Sequence, residues 1–197
     1  MEYTNLSDFD LLKMVVGDAA YYLKKRPLSD LLGLRLPRQG VLCDSASFGV
    51  PPALGAIKEL FVRASDEAAK DDHEFLNDPM SMTMFLTSRY AALDHEVFVC
   101  LWLDAKHRLI ACDEMFHGTL NQTSVYPREV VKRALERNAS SVVFCHNHPS
   151  GDPSPSSADK MLTRVLKNAL ALVDISVTDH VIVAGAQTLS MAAKGYV

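Results

Sequence analysis

The sequence of 197 residues lacks several features that would assign it to a broad class at once. It has four cysteines, and none of them forms the CxxC pair that builds zinc knuckles or redox motifs. No stretch of eighteen or more apolar residues runs unbroken, and the first residues, MEYTNLSDFD, show no basic segment leading into an apolar one. We therefore expect a cytoplasmic protein with neither a membrane span nor a disulfide scaffold.

The sequence also lacks an excess of positive charge. Lysine and arginine number 20 against 24 aspartates and glutamates, which gives a formal net charge of −4. Because phosphate neutralisation dominates affinity for nucleic acids, no overall cationic field is available to hold DNA. Residues 1–78 contain 9 basic and 13 acidic residues, and the remaining residues contain 11 of each. The net negative charge therefore belongs entirely to the first part of the chain.

A change in composition predicts a boundary between two domains. The segment 65–79, SDEAAKDDHEFLNDP, is polar and acidic and ends in proline, which is typical of a linker or of an exposed helix end. We predict a helical N-terminal domain over residues 1–78, including this linker, and a second domain over residues 79–197.

Hydrophobic periodicity predicts the elements of both domains. Helices are predicted after Ser7, which with Asp10 resembles a capping box, over residues 53–64, over residues 127–138 and over residues 158–172. Strands are predicted over residues 97–103, 109–112, 141–145 and 177–184. In the second domain the order β-β-α-β-loop-α-β indicates an α/β or α+β fold.

The segment after the third predicted strand carries a candidate metal site. His146 and His148 are two residues apart where the strand ends, and alternate side chains of a strand point to the same face, so both imidazoles can reach one ion. Asp159 lies at the start of the next helix, and the proline- and glycine-bent loop between them can return its carboxylate to the strand end. Two nitrogens and one oxygen leave a fourth zinc position open, as in catalytic zinc sites. Iron and manganese remain alternatives for this ligand set.

Each of these residues also has a structural interpretation. Ser156 and Asp159 form an SxxD pattern, which can cap a helix without any metal. The two histidines alone are compatible with an exposed loop. Asp152 is a second candidate ligand, although aspartate is common in such a loop for turn reasons. Cys145, at the end of an apolar strand, is expected to be a buried small hydrophobe and not a nucleophile.

The sequence HNHPSGDPSPSSAD, residues 146–159, resembles the JAMM (MPN-type) metalloprotease motif. The neighbouring segments GTLNQTSVYPREVVKRAL and DHVIV are similar to the JAB domain of the bacterial RadC family, and the resemblance covers nearly all of residues 80–185. It implies a cytidine-deaminase-like α/β fold with a mixed sheet. It also implies that zinc is held by His146, His148 and Asp159.

The same resemblance implies two catalytic residues. A glutamate on an early strand of the family matches Glu96 in DHEVFVCLWLD, and the serine of the motif matches Ser156. Glu96 would take a proton from a zinc-bound water and deliver it to the leaving amine, and Ser156 would help to stabilise the tetrahedral oxyanion. We therefore expect a zinc metallopeptidase acting on a peptide or isopeptide bond. Asp179 and His180, in DHVIV, are expected near the site, with a structural role for the histidine.

RadC-type proteins carry a helix-hairpin-helix element before the JAB domain, and FGVPPALGAIKELFVRA, residues 48–64, resembles a degenerate form of it. Such a hairpin binds a DNA phosphate through backbone N–H groups, and Pro51 and Pro52 remove two of these donors. The acidic charge of the N-terminal domain is unfavourable for the same contact. We expect weak or no DNA binding and a structural or protein-binding role. A DNA-repair accessory protein, as the RadC name suggests, is the alternative function.

Overall fold

A computed structural model of the chain describes residues 6–26, 28–31, 51–71, 78–118 and 125–197. The helices are α1 (Asp8–Val16), α2 (Ala20–Leu23), α3 (Leu28–Leu31), α4 (Pro52–Asp71), α5 (Pro79–Tyr90), α6 (Pro127–Glu136) and α7 (Ser157–Ala171), with a 3-10 turn at Gly17–Ala19. The strands are β1 (Val97–Leu103), β2 (Leu109–His117), β3 (Ser141–Asn147), β4 (Ser176–Ala184) and β5 (Gln187–Ser190). Within the described ranges, every helix is too short or too polar to cross a lipid bilayer.

The strands form one mixed sheet of five, in the order β2-β1-β3-β4-β5. β1 is antiparallel to both of its neighbours, and β5 is antiparallel to β4. β3 and β4 are parallel, and α7 is the crossover helix between them, as a parallel pair requires. The predicted α+β fold with a mixed sheet, preceded by a helical region, is confirmed.

Helices cover both faces of the sheet, and β1 and β3 are therefore buried along their whole length. Central strands that are buried on both faces are expected to be continuously apolar, as VFVCLWL is. On one face, side chains of α5 pack against Val99, Leu101, Val143 and Val181. On the other face, side chains of α6 and α7 pack against Phe98, Trp102, Val142 and Phe144. The second face is the one that carries the candidate metal site.

The first helices form a small apolar cluster of their own. α1 begins where the sequence predicts, since Ser7 Oγ accepts the backbone N–H of Asp10 at 3.2 Å. The cluster joins α1, α2, α3 and α4 through Leu12, Ala20, Leu23, Leu31 and Leu54. Residues 48–50 of the hairpin predicted from the family resemblance lie outside the described residues. The division of the chain at residue 78 stays a prediction.

The first part of the acidic segment is helical. α4 continues to Asp71, so residues 65–71 are the end of a helix, the alternative to a linker, and residues 72–77 lie outside the described residues. Alanine, glutamate and lysine in this segment are good helix formers, and Ser65 and Ala69 are buried on the inner side of the helix.

The other end of the predicted linker starts a helix that the sequence analysis did not predict. The carboxylate of Asp78 accepts the N–H of Ser81 at 2.8 Å, and Pro79 occupies the first turn of α5. An aspartate N-cap followed by proline is a helix start signal. β5 was also missed, because its four residues are too short to show a strand pattern.

Candidate metal centre

The candidate site lies where the end of β3 meets the start of α7. His146 belongs to β3, His148 follows the strand directly, and Asp159 is in the first turn of α7. The connecting loop turns at Gly151, whose φ of 82° favours glycine. Two regular elements and one bent loop therefore position the three side chains.

The three predicted ligands point at one another. His146 Nε2 lies 2.9 Å from His148 Nε2 and 3.5 Å from Asp159 Oδ1. His148 Nε2 lies 3.7 Å from Asp159 Oδ2. One ligand atom from each residue lies within 4.8 Å of the others, and no second group of this kind occurs in the part of the chain that the structure describes. The structure brings the predicted ligands together, and metal binding by them stays a prediction.

A backbone carbonyl fixes the proton of His148. His148 Nδ1 lies 2.6 Å from the carbonyl oxygen of Asp152, which can only accept, so Nδ1 carries the hydrogen and donates it. Nε2 of the neutral ring is then free of hydrogen and faces His146 and Asp159. The Asp152 carboxylate is engaged by the N–H of Ser154 at 2.9 Å. Asp152 therefore positions His148 through its backbone, and the ligand group includes Asp159 instead.

The electrostatics of the site suit a cation. Burial lowers the pKa of His146 to about 4, so this imidazole is neutral near pH 7. The contact with Asp159 raises the pKa of His148. Burial alone would raise the pKa of Asp159, but the proximity of His148 and His146 and the hydrogen bonds from Ser156 outweigh it and hold that pKa well below its ordinary value. An ionised carboxylate and a neutral imidazole are the forms in which these side chains bind metals.

Ser156 and Asp159 cap the start of α7. Ser156 Oγ accepts the N–H of Asp159 at 3.1 Å, and Asp159 Oδ2 accepts the N–H of Ser156 at 2.7 Å. The capping interpretation is therefore correct, and it is compatible with a ligand role because the same carboxylate reaches both histidines.

Glu96 directly precedes β1 and is half-buried beside the ligands. Burial raises the pKa of Glu96, the negative charge of Asp159 raises it further, and His148 lowers it in part. The backbone of Glu96 is fixed, since its carbonyl oxygen accepts the N–H of Gly118 at 2.8 Å. Glu96 is two residues before Phe98, which pairs with His146 across the sheet. The predicted general base is thus close enough to Asp159 and His148 for their charges to act on it.

Three further residues surround the site: His180 was expected there, whereas Thr163 and Asn147 were not predicted. His180, expected near the site, lies with Nε2 at 2.8 Å from His146 Nδ1, and Thr163 Oγ1 lies 2.7 Å from His180 Nδ1. Thr163 follows Asp159 by four residues on one helix, a spacing that places both on the same face. Asn147 gave no signal, because strand alternation turns it away from its histidine neighbours.

Two further candidates have structural roles. Cys145 is fully buried and burial raises the pKa of its thiol well above the ordinary value, as suits a small hydrophobe. The carboxylate of Asp179 accepts the N–H groups of His180 at 2.6 Å and Ala192 at 2.9 Å, and it accepts the Ser190 hydroxyl at 2.6 Å. Asp179 therefore ties β4 to the segment that ends β5.

Comparison with known proteins gives a consistent family. Residues 76–196 match the RadC-like JAB domain. A UPF0758 protein of Herminiimonas arsenicoxydans is 55% identical over 200 residues, which cover 96% of this chain and 89% of the relative. A UPF0758 protein of Nitrosospira multiformis is 45% identical over 204 residues, which cover 98% and 90%. A third, of Stutzerimonas stutzeri, is 43% identical over 201 residues, covering 97% and 89%. The similarity to these relatives includes the region before residue 76, and their name states no activity.

Proposed function

The chain belongs to the family of RadC-like JAB domain proteins, and we propose that it is a zinc-dependent hydrolase of amide bonds. The observation that carries the proposal is the convergence of His146, His148 and Asp159 on one point. The two histidine Nε2 atoms face each other at 2.9 Å. When both rings are neutral with hydrogen on Nδ1, two lone pairs oppose each other there, and a cation between them removes the repulsion.

The donor set fits zinc. Two imidazole nitrogens and one carboxylate oxygen are the ligands of several catalytic zinc sites, and they leave a position for water or substrate. Bound zinc would acidify a water molecule and polarise a carbonyl group. The resemblance to JAMM-type metalloproteases supports amide hydrolysis, with a peptide or isopeptide as the substrate class.

Glu96 serves as the general base in this proposal. Because its pKa is raised, Glu96 is a stronger base than an exposed glutamate, which favours proton transfer near neutral pH. A half-buried carboxylate next to the ligands can take a proton from the attacking water and return it to the leaving amine. The fixed backbone of Glu96 limits the positions that this carboxylate can take up beside the site.

Ser156 supplies a hydroxyl donor at the start of α7. Its oxygen accepts the N–H of Asp159, and its hydrogen would turn toward a developing oxyanion. The positive end of α7 favours negative charge at the same place. One oxyanion-hole donor contributes roughly 3 kcal/mol in other hydrolases.

The experiment combines metal analysis with hydrolysis. Purified protein should contain about one zinc ion per chain by elemental analysis, and His146→Ala or His148→Ala should abolish this. Glu96→Gln should retain zinc and lose hydrolysis of a fluorogenic peptide library and of isopeptide-linked peptides. Absence of metal after zinc reconstitution of the folded wild-type protein would refute the proposal, as would full activity of the Glu96→Gln variant.

A further inference from the structure

A chain of buried hydrogen bonds connects two of the proposed ligands behind the site. It runs from the backbone carbonyl of Asp159 to Thr163 Oγ1 at 2.6 Å, on to His180 Nδ1 at 2.7 Å, and from His180 Nε2 to His146 Nδ1 at 2.8 Å. Thr163 and His180 have no exposed surface, and His146 is 2% exposed. The chain therefore joins α7, β4 and β3 inside the protein.

The direction of every hydrogen bond in this chain follows from its first member. A carbonyl oxygen can only accept, so the single hydroxyl hydrogen of Thr163 points to Asp159. Thr163 Oγ1 must then accept from His180, which places the hydrogen of the neutral His180 ring on Nδ1. His180 Nε2 is left as an acceptor, so the contact with His146 needs a hydrogen on His146 Nδ1.

We infer that Thr163 and His180 are positioning residues that hold His146 in the tautomer with a hydrogen on Nδ1 and a bare Nε2 toward the site. The functional meaning of this inference rests on the proposed metal site. The tautomer of His146 itself does not depend on a bound metal. His148 reaches the same tautomer more simply, through the carbonyl of Asp152. Both imidazoles therefore present the same nitrogen to the same point.

The surroundings of His180 require this arrangement. Its ring is packed edge-on against Phe98 and Phe144, with ring centroids at 5.6 Å and 5.7 Å. An apolar environment disfavours a charged imidazolium, and a ring with one hydrogen can donate in only one direction. The direction of the hydrogen bonds from Thr163 through His180 to His146 thus depends on Thr163. Among the described residues, Thr163 is the only partner of His180 Nδ1.

Partners behind a ligating histidine set its tautomer and orientation, and their removal in other metal sites lowers metal affinity by about 10–100-fold. His180→Phe preserves an aromatic ring between Phe98 and Phe144 and removes the acceptor for His146. Thr163→Val preserves the β-branched shape and removes the hydroxyl that orients His180. Thr163→Ser restores that hydroxyl and is the conservative rescue.

The chain offers a matched control in α5. Thr87 Oγ1 donates to the carbonyl of Thr83 at 2.7 Å, the same four-residue back-bond that Thr163 makes to Asp159. Thr87 is also buried, but it lies on the opposite face of the sheet. Thr87→Val therefore removes an equivalent hydroxyl and leaves the hydrogen bonds of Thr163, His180 and His146 unchanged.

The test measures tautomers and zinc affinity separately. Two-bond ¹H–¹⁵N correlation spectra of histidine-labelled protein should show His146 and His180 as Nδ1–H tautomers, with and without zinc. In competition with a chromophoric chelator, His180→Phe and Thr163→Val should weaken zinc binding by about 10–100-fold, whereas Thr163→Ser and Thr87→Val should bind as the wild type does.

Different outcomes overturn different parts. An Nε2–H tautomer of His180 refutes the inference, and so does wild-type zinc affinity in folded Thr163→Val protein. Equal losses in Thr163→Val and Thr87→Val would also refute it, because general destabilisation would then explain both. If the folded wild type binds no zinc, the proposed function fails, and the tautomers in the metal-free protein still decide the inference.

Discussion

The side-chain oxygen of Asn147 accepts the backbone N–H of Val97 at 2.8 Å. The amide nitrogen of the same side chain donates to the carbonyl of His95 at 2.9 Å. One asparagine, lying between the two proposed histidine ligands in sequence, thus holds the backbone on both sides of Glu96. The proposed ligands and the proposed base are fixed to each other by this side chain.

Asn147→Ala should separate these two parts of the site. We expect zinc content to be unchanged and kcat to fall by about 10–100-fold, because a misplacement of about 1 Å can have an effect of that size. The loss of two buried hydrogen bonds should also lower the free energy of unfolding by about 1–3 kcal/mol. Steady-state kinetics and zinc analysis on the same preparation test this, and an unchanged kcat would contradict it.

Asp159→Asn and Asp152→Asn should distinguish the two candidate carboxylate ligands. Asp159→Asn removes the negative charge at the site and should abolish stoichiometric zinc binding or weaken it by orders of magnitude. Asp152→Asn should bind zinc normally, since His148 contacts only the Asp152 backbone and an amide oxygen can still accept the Ser154 N–H. Isothermal titration of both variants with zinc is the measurement, and the reverse order of affinities would exclude Asp159 as the ligand.

The contacts of Asp113 with Arg137 and Trp102 should make the free energy of unfolding depend on pH. Asp113 accepts hydrogen bonds from Arg137 at 2.6 and 2.9 Å and from Trp102 at 2.9 Å. Burial opposes ionisation of Asp113, but these donors outweigh it and lower its pKa. Because the pKa of Asp113 is lower in the folded protein than in the unfolded chain, its ionised carboxylate stabilises the fold at pH values above about 3.9, the pKa of aspartate in the unfolded chain. This contribution disappears as the pH falls through the pKa of Asp113 in the folded protein.

We therefore expect Asp113→Asn to lower the free energy of unfolding by about 2 kcal/mol at pH 7. The difference from wild type should shrink as the pH falls below about 4. Urea unfolding followed by circular dichroism at several pH values measures it. Arg137→Lys, which keeps the charge but loses the bidentate geometry, should show a smaller loss. A difference that is the same at every pH would argue against the ionised carboxylate as its source.

Cys145→Ala should leave zinc content and hydrolysis intact. The thiol is fully buried against the side of the sheet covered by α5, and its raised pKa keeps it protonated. The smaller side chain should reduce the free energy of unfolding by about 1 kcal/mol through lost packing. Assay of the variant with the peptide substrates tests this, and loss of hydrolysis with zinc retained would reinstate the cysteine as a nucleophile.

Local pattern was sufficient to predict the central strands and the spacing of the ligands. VFVCLWL and SVVFC are strands because β-branched and aromatic residues suit positions buried on both faces. Asp159 returns to the strand end because the loop is bent by Gly151 and because Ser156 starts α7 beside it. Each of these signals lies within a few residues of the feature it determines.

The remaining features depend on contacts between distant segments. The proximity of His180 to His146 follows from the parallel register of β3 and β4, in which Phe144 pairs with His180. Asn147 shows its role only once β1 lies beside β3. The choice between a helix end and a linker stayed open for residues 65–71, because an acidic surface helix and an acidic linker have the same composition. Neither tertiary register nor this distinction can be taken from periodicity alone.

Asp159 holds the first turn of α7 through its bond to the Ser156 N–H and also faces both histidines. Fraying of that turn and departure of the carboxylate from the site are therefore one local opening event. An ion bound by Asp159 therefore raises the free energy needed to open the first turn of α7. By thermodynamic linkage, this increase equals the free energy of ion binding that the intact turn contributes. The occupancy of the site can consequently be followed as slowed amide hydrogen exchange at Lys160, whose N–H makes a bond to the Ser156 carbonyl at 3.2 Å.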